Sequence, residues 1–148
     1  MTHSMSLSGF ISHLGILAAE LEEMNHCALE TACEIIEDEA KQAIGTYKFG
    51  WPQLKPETIA RKKTGNSPLL ETGELQGSIQ HNFSGHSGFV GTNNDKGVWN
   101  FNGTSRGIPP RDPIKGAVEH SGDKVELKIG SDFAAWIGGD GLPKTRIR

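Results

Sequence analysis

Cysteine, aromatic side chains and long apolar runs are all scarce in this chain, and each scarcity rules something out. No stretch of about eighteen apolar residues occurs among the 148 positions, so no membrane-spanning helix is expected, since a span needs about twenty. The N-terminus lacks the basic region and apolar block of a secretory signal. Only two cysteines are present, Cys27 and Cys33. In a helical pattern they lie about 120° apart around the axis and about 9 Å along it, too far for a disulfide. They read as small apolar residues in a reducing compartment. Apolar residues make up 35% and aromatics 7%, against nineteen glycines. Such a chain either carries many loops or completes its core against copies of itself. At this length a single domain with one core is expected.

The residue patterns of catalysis are missing too. His3, His13, His26, His81, His86 and His120 fall at no metal-ligand spacing, and neither Cys-x-x-Cys nor His-x-x-x-His occurs. His81 and His86 flank a hairpin turn and offer a place for a stray metal only, so no metal ligand is assigned. Gly85, Gly88 and Gly91 lack the following helix or Gly-Lys-Ser/Thr of a phosphate loop. There is no Gly-x-Ser-x-Gly elbow, and carboxylates beyond the first helix form no evident acid–base pair. A protein that is not an enzyme is expected, with no catalytic or cofactor-binding residue, no cofactor and no small-molecule substrate.

Positive charge is absent from the first forty residues, which hold eight acids and neither Lys nor Arg. The other 108 residues carry fifteen bases and ten acids, so the net charge of −3 divides into −8 and +5. The acids either form a solvated helix face or meet basic surface, within the subunit or on a neighbour.

Read in order, residues 1–8 are polar and predicted disordered, residues 9–138 form a single α+β domain, and 139–148 are a flexible Gly-rich basic tail. From Phe10 the apolar positions run Leu14, Leu17, Leu21, Met24, Ala28, Ala32 and Ile35, stepping by four and three, which predicts one long helical stripe. Gly45 is its expected stop, and Asn25 could cap a second helix after a break near Met24–Asn25. Pro56 fixes the backbone of a first helical turn, with Glu57 at the start and Arg61, Lys62 and Lys63 at the end to match the dipole. Ser67-Pro68 repeats the start signal, and Thr72 caps a short helix through Leu75 to Ile79. Ile79 to Phe83 and Phe89 to Thr92 predict a hairpin around Ser84–Gly88. Asn93–Gly97 reads as a second turn, Val98, Trp99 and Phe101 as an apolar cluster of open secondary structure, and Gly103–Pro110 as a loop. Asp112-Pro113 predicts a helix to about His120, stopped at Gly122, with Lys115 and Glu119 paired. Lys124 to Ile129 alternates strictly, which predicts a strand.

Between Trp51 and Ile79 the chain reads Trp-x-x-Leu-x-x-x-Thr-x-x-x-Lys, then Leu-Leu-x-Thr-Gly-x-Leu-x-x-Ser-Ile. On Trp51, Leu54, Thr58, Lys62, Leu69, Leu70, Thr72, Gly73, Leu75, Ser78 and Ile79 it resembles the virion-morphogenesis family of tailed bacteriophages, the tail-completion, head–tail joining and neck proteins. Asn100–Thr104 and Pro109–Pro113 are similar to that family's Phe-Gly-Thr and Pro-x-Arg-Pro-Phe segments, with Asn102, Asp112 and Ile114 departing from them. The resemblance covers about residues 10 to 115. It implies an α+β fold, a long N-terminal helix (or two) and short helices packed on a small antiparallel β-sheet. It implies a homo-oligomeric ring between phage portal (connector) and tail proteins, with DNA only as passing cargo and no membrane. Such a protein, encoded by a prophage, would be assembled in the bacterial host cytoplasm and become a virion component.

Trp51, Leu54, Leu70, Thr72, Gly73, Leu75 and Ile79 are thus expected to be motif and core positions. Arg61, Lys62, Lys63 and Arg111 on one side, and Glu34, Glu37 and Asp38 on the other, are candidate subunit or partner contacts. Trp136 is a docking aromatic or a cover for the sheet. Two other classes stand beside the structural one: a nucleic-acid-binding module using the Arg61-Lys62-Lys63 cluster, and a small hydrolase built on the histidines.

Overall fold

A computed structural model of the chain describes residues 4–144; residues 1–3 and 145–148, the outer ends of the predicted disordered N-terminus and basic tail, lie outside the described residues. The architecture is α+β. It runs α1 (Leu7–Ala43), α2 (Pro56–Arg61), α3 (Glu74–Ser78), β1 (Ile79–Ser84), β2 (Ser87–Thr92), α4 (Asp95–Asn102) and α5 (Pro113–Ile137).

Helix α1 starts at Leu7, inside the segment expected to be disordered, because Ser6 caps it by accepting from the Gly9 amide at 3.1 Å. It continues through Met24 and Asn25 for 37 residues, about 55 Å at 1.5 Å per residue. The expected break is absent because Met24 and Cys27 are both buried on the same stripe, so packing holds the helix through that point. Gly45, at φ +87°, turns the chain just past its end.

The sheet is one hairpin. Ser84 pairs with Ser87 across a two-residue turn, and Gly85 supplies the positive φ (+58°) that a turn of this length requires. Two strands alone are marginal in water, so α1 supports them. Gly88 lies so close to α1 that a Cβ there would stand 2.4 Å from the Cys33 sulfur. The core gathers Ala40 and Ile44 of α1, Leu75, Ile79 and Ala117, with Ile36, Phe49, Leu69, Leu70, Val90, Phe101 and Ile114 packed around it.

Five local expectations need correction. Lys124 to Ile129 is not a strand, and the helix begun at Pro113 does not stop at Gly122; α5 runs unbroken to Ile137. Ala117, Ser121 and Trp136 are buried while Val125, Ile129 and Phe133 are half-buried, which is a helical stripe. Leu127, the residue that made the pattern alternate, points out and is 75% exposed. Ser67-Pro68 starts no helix. That segment is tied down side-on, since Pro68 accepts from the Gly45 amide and Leu70 accepts from Lys62 and Thr64, while Leu69 takes φ +63°. Gly73 rather than Thr72 is the cap position of α3. Asn94, expected in a turn, caps α4 by accepting from the Lys96 amide, so Val98, Trp99 and Phe101 are helical.

Helix α5 lies antiparallel along α1. Lys124 reaches Glu39 near the C-terminal end of α1, while the Trp136 indole N–H donates to Glu20 at 2.9 Å and His13 contacts the Ile137 carbonyl at 2.8 Å. Trp136 therefore covers a helix and not the sheet.

Candidate functional site

Three features stand out on this scaffold. The first is a buried polar knot where the hairpin crosses α1. Glu37, only 1% exposed, accepts from the His81 amide at 3.0 Å, contacts the His81 ring Nδ1 at 2.5 Å, and pairs with Lys41 one turn along. Burying a carboxylate is costly unless it is paired and hydrogen-bonded, and here both conditions are met. Glu37 is therefore withdrawn from the expected subunit contacts: the hairpin itself occupies it. Asp38 is exposed and Glu34 half-buried on the neighbouring positions.

The second feature is an uncovered apolar stripe. Leu7, Phe10, Ile11, Leu14 and Leu21 continue, toward the N-terminus, the stripe that Met24 and Cys27 bury further along. Their side chains are between 47% and 75% exposed. Among the described residues α5 covers only one flank here, through Trp136 and Ile137. Exposed single apolar residues are ordinary, whereas a contiguous helical row marks a surface that something covers.

The third is a groove of about 940 Å³ past the C-terminal end of α1. Its walls mix apolar residues (Pro52, Leu54, Ile108, Pro109) with cations, Lys55, Arg61, Lys62, Lys96 and Arg106, against the acids Glu71 and Glu74. Lys96 is paired with Glu74 at 2.7 Å, which with Asn94 holds the Glu74 carboxyl below its usual range. Lys62 donates to the Leu70 carbonyl. Arg61 and Lys63 are exposed.

Arg111, expected at a contact, is 6% exposed and structural: its Nη2 and Nε donate to the Pro52 carbonyl at 2.7 and 3.3 Å. Burial lowers its pKa from the ordinary guanidinium value. It clamps the loop after α4 to the loop that carries Trp51. Of the motif residues, Trp51, Leu75 and Ile79 are buried, Leu70 packs against the core, Leu54 is half-buried in the groove wall, and Thr72 is exposed beside Gly73 at φ +80°.

The acids of α1 also meet bases within the subunit. Glu39 pairs with Lys48 and with Lys124 at 3.1 Å, and hydrogen bonds from Lys48, then Lys124, lower its pKa. Cys27 and Cys33 are free thiols, and burial, with nearby glutamates adding to it, raises both pKa values. Neither is activated as a nucleophile.

Sequence reasoning missed the joining of Glu37 to His81, because the two are 44 positions apart. A trace of it was present in the i, i+4 and i+7 spacing of Glu30, Glu34 and Glu37, which places three carboxylates on one helix face. No helix among the described residues is long and apolar enough to cross a membrane. No protein-family model, curated protein or solved structure matches the chain.

Proposed function

We propose that this chain is a structural subunit of tailed-phage assembly, a tail-completion or head–tail joining protein that works as a homo-oligomeric ring between portal and tail. The observation that carries the reading is the uncovered stripe of Leu7, Phe10, Ile11, Leu14 and Leu21. The family resemblance of the Trp51–Ile79 segment supplies the class. The chain assembles in the bacterial host cytoplasm, joins the virion, and lets DNA pass as cargo. It transforms no substrate.

The occupant of the stripe is a second copy. Glu22 and Glu23 flank the stripe and are exposed, and the groove at the other end of the subunit is both apolar and basic. An acidic, apolar helix end is complementary to that groove in polarity and sign. Such a contact joins two different surfaces, and head-to-tail contacts of this kind close into rings when the rotation per subunit closes.

The test is light scattering on the intact chain across a wide concentration range at low and high salt, with Leu14→Glu and Arg61→Glu beside the wild type. Oligomers larger than a dimer, lost in both variants while each stays folded, support the reading. Cryo-microscopy of purified particles covers the case in which the ring forms only on its portal. A chain that is monomeric throughout and absent from the particles overturns it.

The cations Lys55, Arg61, Lys62 and Arg106 around one groove, with Lys63 exposed next in the chain, favour a second reading, a nucleic-acid-binding module. Affinity for duplex or single strands tighter than about micromolar, falling steeply with salt, would select it. Weak, salt-insensitive binding removes it.

A further inference from the structure

Helix α1 presents Glu30 and Glu34 one turn apart, and β1 brings His81 over them from a different part of the fold. One ligand atom from each of the three lies within 4.8 Å of the other two, and all three side chains are half-buried. Among the described residues neither Glu30 nor Glu34 has a hydrogen-bond or ion-pair partner. Two carboxylates at i and i+4 repel, and Glu37, which follows on the same face, has Lys41 as its cation.

A fourth residue distinguishes this cluster from an ordinary acidic face. The buried Glu37 contacts His81 Nδ1 at 2.5 Å and accepts from the His81 amide at 3.0 Å. A carboxylate in that position fixes the proton on Nδ1, orients the ring and leaves the Nε2 lone pair to ligate. This carboxylate–histidine arrangement is how metal-binding imidazoles are held and made more basic.

We propose that Glu30, Glu34 and His81 form a site for a first-row divalent cation such as zinc, with Glu37 as the positioning residue for the imidazole. A donor set of one imidazole and two carboxylates suits zinc or manganese better than calcium or magnesium, which take oxygen cages. At zinc bond lengths of 2.0–2.2 Å the donors sit about 3.3 Å apart, a closure made by rotating side chains. Three protein ligands leave the fourth tetrahedral position to water. The ion ties β1 to α1 at the crossing that supports the whole hairpin, so its role is to stiffen the fold. This inference is independent of the assembly role.

The experiment is calorimetric titration of zinc into the untagged, EDTA-stripped full chain, with thermal melts in parallel. One ion per chain and a raised Tm are expected for the wild type. Glu30→Gln and Glu34→Gln, which disturb no partnered group, should each weaken binding at least tenfold and lose the thermal shift, while His86→Ala changes neither. Glu37→Gln should weaken binding by about ten- to a hundredfold, the usual effect of an outer-shell partner. No zinc uptake by the wild type, or uptake that persists in both glutamine variants and disappears in His86→Ala, overturns the proposal.

Discussion

Gly122 and Gly130 lie inside α5, and no atom stands within 4 Å of the place a Cβ would occupy at either one. Neither has positive φ. A glycine in an exposed helix interior costs about 0.5–1 kcal/mol relative to alanine. The two are eight residues apart, about 12 Å along the axis, so the gains should add to about 1–2 kcal/mol in Gly122→Ala/Gly130→Ala. For a chain of this length that raises Tm by about 2–8 °C. The same helix holds its own control. At Gly116 a Cβ would stand 2.3 Å from Phe49 Cδ2, and Phe49 is held by the edge of Trp51 and the stacked ring of His120. Gly116→Ala should therefore destabilise by about 1–3 kcal/mol. Thermal and urea denaturation followed by circular dichroism reads both signs. If Lys124 to Ile129 were the strand its alternation suggests, Gly122 and Gly130 would be turn residues at its ends. A double variant that is unchanged or less stable would refute the continuous helix.

Two further predictions follow from buried or paired charge. The folded-state pKa of Glu39 is lowered, so its contribution to stability is present above the ordinary glutamate value near 4.5 and is lost as pH falls through the folded value. Glu39→Gln should thus be less stable than wild type at about pH 7, with the gap closing by about pH 3 in urea midpoints; a gap that does not change with pH would contradict the pairing with Lys48 and Lys124. Arg111→Lys keeps the charge but cannot reproduce the two-nitrogen contact with the Pro52 carbonyl. It should cost about 1–2 kcal/mol in chemical denaturation and leave association unaffected.

What could be read from sequence follows from the range of the interactions involved. The long helix was legible because one face repeats at three and four residues over many turns, and Gly45 marked its end. The hairpin was legible because a Ser- and Gly-rich turn separates two β-like runs, although Ser84 pairs with Ser87 and Phe83 with Gly88, so the turn is two residues and not the five expected. Pro56 announced α2 through a local backbone constraint. Helix α4 was missed because Asn94 gives the same signal in a turn as at a cap. The course of α5 was misread because Leu127 falls between Val125 and Ile129, and six residues cannot separate a period of two from a period of 3.6 when an exposed leucine joins the count. The Glu37–His81 contact and the burial of Arg111 depend on which elements cross, and no local pattern encodes that.

The charge asymmetry of the chain resolves differently along the two halves of α1. Near the C-terminal end two acids are answered from within, Glu37 by Lys41 and His81 and Glu39 by Lys48 and Lys124, while Glu30 and Glu34 lie beside His81. In the N-terminal half Glu20 accepts from Trp136, but Glu22 and Glu23 stay exposed beside the uncovered apolar row. Met24, fully buried, marks the change. The sequence suggested a break at that point; the helix does not break, yet its surroundings change there from solvent to core. A helix this long exceeds what one small core can cover, and the half that projects carries both apolar surface and surplus negative charge. Solvation alone would favour polar residues at Phe10, Leu14 and Leu21. The proposed head-to-tail assembly gives that apolar character a role, because the groove lined by Leu54, Ile108, Lys55 and Arg61 on this same subunit is both apolar and basic.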